Sequence, residues 1–304
     1  MRGLLLVAAL LVGCGGKAVL PKGGAAEGFT VLDVGKLPDH GYSGLTLDGD
    51  GVLWAVPERG QALQELVVGA EGLTAGKTLP IADLPDGLDL ESLAWLGGDR
   101  YVAGTEVKAS RSQDAVLVLE RGADGVKPVA RAILDYSLWM MTAQPNRGIE
   151  GICAADGMVV AAVEGVWEES GNRWGLIGRM DVATEQWQPL RVQLTTDTGK
   201  LAGLTCRAVD GGIEVHAIER HFGVGRVLKM TLPAWTPPPG PLKLGESTPA
   251  PVTVTAEVVA DAAKAFGEVP NLEGLAWLGD DLVLLSDNHY GKVTGPTEAL
   301  RLRP

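Results

Sequence analysis

A short pattern, in which a small and apolar core is followed about fifteen residues later by a carboxylate, occurs five times in this chain. The copies begin at positions 43, 91, 150, 202 and 273, at intervals of 48, 59, 52 and 71 residues. They open with Ser43, Glu91, Glu150, Ala202 and Glu273, and their acidic ends are Glu58, Glu106, Glu164, Glu219 and Asp287. A period near fifty residues is typical of the blades of a β-propeller.

Each copy divides into short strands separated by turn residues, with frequent glycine and no sustained helical period, which predicts an all-β fold. The fifth copy supplies only three strands, and one strand, Phe29–Val34, precedes the first copy. We therefore expect five blades of four antiparallel strands, closed by the N-terminal strand joining the C-terminal blade. A six-bladed ring is the alternative, because the 71-residue interval has room for another blade. The proline-rich residues 233–251 in that interval favour an extended surface loop instead.

The second position of every copy is a small residue. These residues are Gly44, Ser92, Gly151, Gly203 and Gly274. In a propeller, this position lies where the innermost strands converge on the axis, and close approach of backbones favours a residue with little or no side chain.

The first residues predict export and lipid attachment. An apolar run at residues 4–12, too short to span a bilayer, follows Arg2 and ends in Leu-Val-Gly-Cys, which resembles a bacterial lipobox. We expect a signal peptide at 1–13, lipidation of Cys14, a flexible tether at 14–28 and a single β-propeller domain at 29–304. An ordinary signal peptide is the alternative. The expected location is the bacterial cell envelope, at the outer membrane.

The formal net charge is −12 and the sequence pI is about 4.8. This charge argues against nucleic acid or an anionic membrane surface as a partner, and it is compatible with a cationic ligand or a metal ion. We expect a monomer that binds a small-molecule or protein ligand at one propeller face and touches the membrane only through its lipid.

Two further cysteines lie one position out of phase in the repeat. Cys153 aligns with Thr205, whereas Cys206 aligns with Ala154. Side chains in alternate phase point to opposite faces of their strands, so we expect two buried free thiols.

The acidic residues of each copy should meet at one mouth of the central channel, because antiparallel neighbours place the start of one strand beside the end of the next. The candidate metal ligands are Glu58, Glu91, Glu106, Glu150, Glu164, Glu219, Glu273 and Asp287. Such a ring of like charges needs cations or protons. Hard oxygen ligands without clustered Cys or His suit Ca²⁺. The alternative is that these acids cap strand ends and pair with arginines.

Other polar residues adjoin this ring in sequence. Arg59, Arg147, Arg220, Asn271 and Asn288 are candidate ligand-binding residues, and His221 and His289 are candidate general acids or bases. There is no P-loop, dinucleotide-binding loop or Gly-x-Ser-x-Gly elbow.

Two of the motifs resemble a known family. NRGIEGI at 146–152 and NLEGLA at 271–276 are similar to elements of the phytase-like propeller family, also called esterase-like activity of phytase, and the resemblance runs from about Tyr42 to Asn288. It implies a secreted or envelope propeller with hydrolytic activity. The chain departs from the pattern at Ala202 and lacks the longer acidic signatures of true β-propeller phytases, so phytate is not the expected substrate.

Two functions are therefore expected. The first is a Ca²⁺-dependent phosphoric-ester hydrolase whose metal is held by the acidic ring. The alternative is a non-catalytic propeller of the envelope that binds a ligand or a protein, because the fold alone does not determine function.

Overall fold

The computed structural model describes residues 20, 24–38, 41–58, 61–70, 72–84, 88–107, 114–237, 250–288 and 295–304. Within these ranges the chain is all-β, as predicted. It begins with β1 (Ala25–Ala26) and β2 (Phe29–Val34), and its helical segments are one 3₁₀ turn (Tyr136–Trp139) and one short helix, α1 (Ala262–Phe266). No helix in the described ranges is long and apolar enough to cross a membrane.

The remaining strands form five groups. The first contains β3 (Tyr42–Leu47), β4 (Leu53–Pro57), β5 (Ala62–Val68) and β6 (Gly72–Pro80). The second contains β7 (Leu88–Gly97), β8 (Arg100–Val107), β9 (Ala115–Arg121) and β10 (Val126–Ile133). The third contains β11 (Ile149–Ala155), β12 (Met158–Glu169), β13 (Asn172–Asp181) and β14 (Trp187–Gln193).

The fourth group contains β15 (Lys200–Val209), β16 (Gly212–His221) and β17 (Val224–Leu232). Two short strands follow, β18 (Val252–Val254) and β19 (Ala256–Asp261), and only β19 belongs to the fourth group. The fifth group contains β20 (Leu272–Leu278), β21 (Asp281–Ser286) and β22 (Ala299–Leu302), with β2 as its outermost strand.

The N-terminal strand completes the C-terminal group, as predicted. Strand β2 pairs antiparallel with β22 from Phe29 opposite Leu302 to Leu32 opposite Ala299. Its last two residues, Asp33 and Val34, also pair in parallel with β6 of the first group. This short pairing fuses the first and fifth groups into one nine-stranded sheet, so the described strands form four sheets instead of five separate ones.

The innermost strands of the five groups form a closed circuit. Strand β3 contacts β7, β7 contacts β11, β11 contacts β15, β15 contacts β20, and β20 contacts β3. Buried aliphatic side chains fill the spaces between neighbouring groups; one core cluster, for example, joins β11–β14 to β15–β17. This packing brings residues distant in sequence together around one axis.

Glycines at the predicted convergence points permit this circuit. A Cβ atom on Gly203 would overlap the carbonyl oxygen of Glu273, and one on Gly151 would overlap that of Ala202. In the second group the small residue is Ser92, whose hydroxyl donates a hydrogen bond of 3.0 Å to the carbonyl oxygen of Ile149. The close approach expected from the repeat is therefore present.

The prediction of two free thiols is wrong, because Cys153 and Cys206 form a disulfide with a Cα–Cα distance of 5.6 Å. Cys153 lies on β11 and Cys206 on β15, the innermost strands of adjacent groups. Sheets that pack face to face meet through opposite faces, so two side chains in alternate phase point toward each other across the interface. The phase difference therefore favours the bond.

The segment from Val252 to Asp261 is divided between two groups. Val252–Val254 pairs in parallel with β14 of the third group, and Ala256–Asp261 pairs antiparallel with β17 of the fourth. The loop expected at 233–251 contains no strand or helix at 233–237, and residues 238–249 lie outside the described ranges. The chain thus crosses to the neighbouring group before it returns.

The residues before β2 pack against the fifth group. Leu20 is 4% exposed and its N–H donates a hydrogen bond of 2.6 Å to the carboxylate of Glu298. Ala25 and Ala26 pair with Thr30 and Phe29. Part of the segment expected to be a tether is therefore ordered on the surface of the domain.

Candidate functional site

A β-bulge occurs at the same place in every innermost strand and carries the first residue of the repeat. In β11, for example, Ile149 pairs with Val163 and Gly151 with Ala162, which leaves Glu150 as the extra residue. The corresponding residues are Ser43, Glu91, Glu273 and, in the fourth group, the pair Ala202 and Gly203. A bulge changes the direction of a side chain, so these residues need not follow the alternation of side chains between the two faces of the strand.

One carboxylate cluster forms between the first and second groups. Glu58, Asp89 and Glu91 are all buried, and one oxygen from each lies within 4.8 Å of the others. Burial, followed by the charges of Glu150 and Glu273, raises the pKa of Glu91 well above its usual value. Sequence analysis predicted Glu58 and Glu91 for this cluster and missed Asp89.

A second cluster joins the second and third groups. Glu106, Glu150 and Glu164 also have oxygen atoms within 4.8 Å of one another. The backbone N–H of Gly148 donates a hydrogen bond of 3.2 Å to Glu106. Burial, and then the charge of Glu150, nevertheless raises the pKa of Glu106 to about 7. Both clusters thus hold acidic groups whose ionisation is costly without a nearby cation.

Arg220 lies between acidic residues of the third and fifth groups. Its Nη2 atom is 3.2 Å from Glu150 Oε2 and 2.5 Å from Glu273 Oε1, and its Nη1 donates to Asn271 at 2.8 Å. Asn271 in turn donates a 2.8 Å hydrogen bond to Glu273. Burial raises the pKa of Glu273, although Arg220 opposes this shift. Arg220 is therefore an internal counter-ion, and both it and Asn271 contact acidic residues of the ring.

Lys200 is a site residue that sequence analysis missed. It begins β15, pairs in register with Arg220 and forms an ion pair with Glu164. Burial and then the charge of Arg220 lower the pKa of Lys200 to about 8. The sequence contained a signal for Lys200, because Asp89, Lys200 and Asn271 are polar residues that all lie two residues before the bulged position of their strands.

The fourth group differs from the others in the charge it contributes. Its bulge carries Ala202 instead of a carboxylate. The carboxylate of Glu219 accepts hydrogen bonds of 2.5–3.1 Å from the N–H and hydroxyl groups of Thr195 and Thr196. Glu219 thus holds a loop, while Lys200 and Arg220 give this side of the mouth a positive charge.

Asp287 and Asn288, which follow β21 and were predicted as site residues, are both buried but contact different groups. Asp287 contributes to the electrostatic environment of Arg220 and Glu273, and its N–H bonds to the carbonyl of Asn271. Asn288 instead donates 2.7 Å and 3.3 Å hydrogen bonds to Pro296 and Glu298. Asp287 therefore belongs to the acidic mouth, whereas Asn288 secures the following loop.

The other predicted residues lie at the rim or outside the described ranges. Arg147 is exposed, and its carbonyl accepts a bond from Tyr136. His221 is exposed at the tip between β16 and β17; burial, followed by the charge of Lys200, lowers its pKa. Arg59, His289 and Cys14 are not among the described residues.

The mouth is strongly acidic in the described part of the chain. Its carboxylates are Glu58, Asp89, Glu91, Glu106, Glu150, Glu164, Glu273 and Asp287, and the cationic side chains among them are Lys200 and Arg220. The buried hydroxyl of Ser43, at the bulged position of the first group, and the buried Nε of Arg220 have no hydrogen-bond partner. The Ser43 oxygen beside this excess negative charge suits a cationic ligand, whereas the Arg220 N–H is a donor and does not.

Comparison with known proteins agrees with the sequence motifs. The family model described as "Phytase-like: Esterase-like activity of phytase" matches residues 38–290. The chain belongs to this phytase-like family. The resemblance expected from the sequence is thereby confirmed, and the closed circuit of β-strand groups is a β-propeller of the phytase-like kind. No curated protein matches this phytase-like chain.

Solved structures show weaker likenesses. PQQ-bound aldose sugar dehydrogenase from Streptomyces coelicolor has a TM-score of 0.47 and 13% identity, covering 94% of this chain and 99% of that one. The apo-form of soluble aldose sugar dehydrogenase from Escherichia coli has a TM-score of 0.44 and 12% identity, with 91% and 99% covered. Virginiamycin B lyase from Staphylococcus aureus has a TM-score of 0.38 and 10% identity, with 91% and 99% covered.

Proposed function

We propose that the acidic mouth binds Ca²⁺ and that the phytase-like chain uses it to hydrolyse phosphoric esters. The observation that carries this proposal is the pair of carboxylate clusters, Glu58–Asp89–Glu91 and Glu106–Glu150–Glu164, each with oxygens within 4.8 Å. Each donor is a carboxylate oxygen, which is the ligand type that Ca²⁺ prefers, and neither cluster contains the Cys or His typical of zinc sites.

The residues around the clusters support this assignment. Burial and mutual repulsion make the ionised carboxylates costly, and a divalent cation offsets that cost. Arg220 already neutralises part of the negative charge on the Glu150–Glu273 side of the mouth.

Bound Ca²⁺ supplies positive charge that draws phosphate oxygens and lowers the pKa of a bound water. The chain's own contribution would be to hold the carboxylates on rigid strands, while the exposed Arg147 offers a cationic group to an anionic ligand. His221, with its lowered pKa, is neutral near pH 7 and can accept a proton at the rim. His289 and Arg59 are further candidates for the same roles.

A Ca²⁺ titration followed by thermal melting tests the metal site, and a screen of phosphomonoesters and phosphodiesters with Ca²⁺ or EDTA tests the activity. We expect a Ca²⁺-dependent rise in Tm and Ca²⁺-dependent turnover. The triple variant Glu91→Gln, Glu150→Gln, Glu273→Gln should lose both. A matched variant with the exposed Glu120, Glu185 and Glu257 changed to Gln should lose neither.

The outcomes separate the two candidate functions. Ca²⁺ binding without turnover of any ester would favour the non-catalytic ligand- or protein-binding propeller. Unchanged Tm in Ca²⁺, or full Ca²⁺ binding by the triple Gln variant, would remove the metal-site assignment.

We also propose that the ring be counted as five blades, with the nine-stranded sheet contributing two. The support is that the two halves of this sheet are joined by only two residue pairs, while five innermost strands form the circuit. Deleting the β2–β6 pairing, for instance with Asp33→Pro, should leave the fold intact if the halves are separate blades. Global unfolding of that variant would contradict this count.

We further propose that the chain is a monomeric envelope lipoprotein, anchored at the outer membrane through Cys14. The disulfide between Cys153 and Cys206 supports export, since disulfides persist in oxidising compartments. Metabolic labelling with a radioactive fatty acid should mark the wild-type chain but not Cys14→Ser, and membrane fractionation should find only the former in the outer membrane. Equal labelling of both would contradict the proposal.

A further inference from the structure

Among the residues that the structure describes, the fourth group presents two cationic side chains to the mouth. Lys200 begins its innermost strand, and Arg220 lies opposite Lys200 on the neighbouring strand. The carboxylate that this group could have supplied, Glu219, is committed to Thr195 and Thr196. In the described part of the mouth, Lys200 and Arg220 therefore meet acids from the third and fifth groups.

Lys200 contacts the second cluster through its ion pair with Glu164. The Lys200 side chain retains 24% exposure and that of Glu164 retains 14%, so their ion pair lies at the edge of the mouth. A divalent cation held by Glu106, Glu150 and Glu164 would compete with Lys200 for Glu164. The ammonium group would then adjoin the metal with its hydrogen-bond donors available.

This arrangement suits a ligand with several negatively charged oxygens. One oxygen can approach the metal while another accepts a bond from Lys200, and the charge-assisted bond is stronger than a neutral one. A phosphoryl dianion has this chemistry. Arg220 is less suited to the role, because its Nη atoms are already occupied by Glu150, Glu273 and Asn271.

We propose that Lys200 is the residue that binds and orients the phosphoryl group beside the metal at Glu106–Glu150–Glu164. This inference rests on the proposed Ca²⁺ site and adds a specific anion-binding residue to it. It makes Lys200 a determinant of ligand affinity rather than only a counter-ion of Glu164.

Calorimetric titration of inorganic phosphate into the Ca²⁺-loaded full chain, kept below the solubility limit of calcium phosphate, tests the inference. A charge-assisted bond is worth about 1.5–3 kcal/mol, so Lys200→Gln should weaken phosphate binding about 10–100-fold. Lys200→Arg should retain part of the affinity, and both variants should bind Ca²⁺ at least as tightly as the wild type. Lys264→Gln, which removes a lysine paired with Glu27 elsewhere, should change neither affinity.

The possible failures can be distinguished. If the wild type does not bind Ca²⁺, the proposed function and this inference both fall. If Ca²⁺ binds but Lys200→Gln has unchanged phosphate affinity, only the role of Lys200 is overturned. Lys200→Arg keeps the test decisive if Lys200→Gln folds poorly. An equal loss of phosphate affinity in both variants would indicate that Lys200 has only a structural role.

Discussion

The disulfide between Cys153 and Cys206 joins the innermost strands of two neighbouring blades, not two strands of one blade. The cysteines are 53 residues apart in sequence, so the bond closes a loop that includes most of the third blade. It adds a covalent link to an interface otherwise held by aliphatic packing between β11 and β15.

Replacing both cysteines with serine should lower the free energy of unfolding by about 2–4 kcal/mol, because the unfolded chain regains loop entropy. Urea denaturation with and without a reductant measures the effect. The reductant should destabilise the wild type and leave the double variant unchanged. Equal stability of the oxidised wild type and the variant would contradict the prediction.

Gly203→Ala should destabilise the protein by about 1–3 kcal/mol, because the added Cβ overlaps the carbonyl oxygen of Glu273 and forces the two backbones apart. Gly165→Ala is the matched control. Its nearest atoms would be 3.8 Å away, so it should change stability much less. Chemical denaturation compares the two, and similar losses would argue against close approach at the axis.

Arg220→Gln should lower the free energy of unfolding by about 3–5 kcal/mol in the absence of Ca²⁺, since it leaves Glu150 and Glu273 buried without their counter-ion. Arg207→Gln removes an arginine whose side chain is half exposed and should cost about 1 kcal/mol or less. Thermal melting in EDTA measures both changes. If Arg220→Gln lowers the free energy of unfolding no more than Arg207→Gln does, the ion pairs of Arg220 with Glu150 and Glu273 contribute little to stability.

His216 should make the protein less stable in mild acid. Burial lowers its pKa from 6.5 to about 4, although Glu214 opposes the shift. The folded state therefore favours neutral imidazole, and stability is complete above pH 6.5 and falls as the pH decreases toward 4. The full effect is about 3 kcal/mol at 1.36 kcal/mol per pKa unit.

Unfolding free energies of the wild type and His216→Gln between pH 7 and pH 4 measure this contribution. Lys229, Arg207 and Glu214 face His216 in both proteins, so their difference isolates the imidazole. The free energy of unfolding should fall less steeply with decreasing pH in His216→Gln than in the wild type. Substitution of the exposed His221 with Gln should change this pH dependence less. Parallel slopes in the wild type and His216→Gln would contradict the prediction.

The repeat allowed much of the fold to be predicted, because the small residue before Leu45, Leu93 and Leu275 reports a steric requirement at the axis. The pairing of β2 with β22 also followed from the unequal number of strands in the copies. The destination of Val252–Val254 could not be predicted in the same way. Three residues of strand composition can pair with either neighbouring blade, and tertiary packing decides between them.

The site was predicted only in part, for a similar reason. Antiparallel strand pairing predicted Glu91, Glu150 and Glu273 at one mouth, but it could not show that Glu219 turns to Thr195 and Thr196. That choice depends on a loop between blades, and no repeat constrains it. Asp89 and Lys200 were missed because the position two residues before the bulge varies in charge from copy to copy.

In the proposed lipoprotein, the packing of Leu20 against Glu298 would limit the distance between the domain and the bilayer. If Cys14 carries a lipid, six peptide links separate it from Leu20, and a fully extended chain of that length spans about 20 Å. Glu298 also accepts a hydrogen bond from Asn288, the neighbour of Asp287 in the acidic mouth. A lipid on Cys14 would therefore hold the fifth group, against which Leu20 packs, close to the headgroup layer.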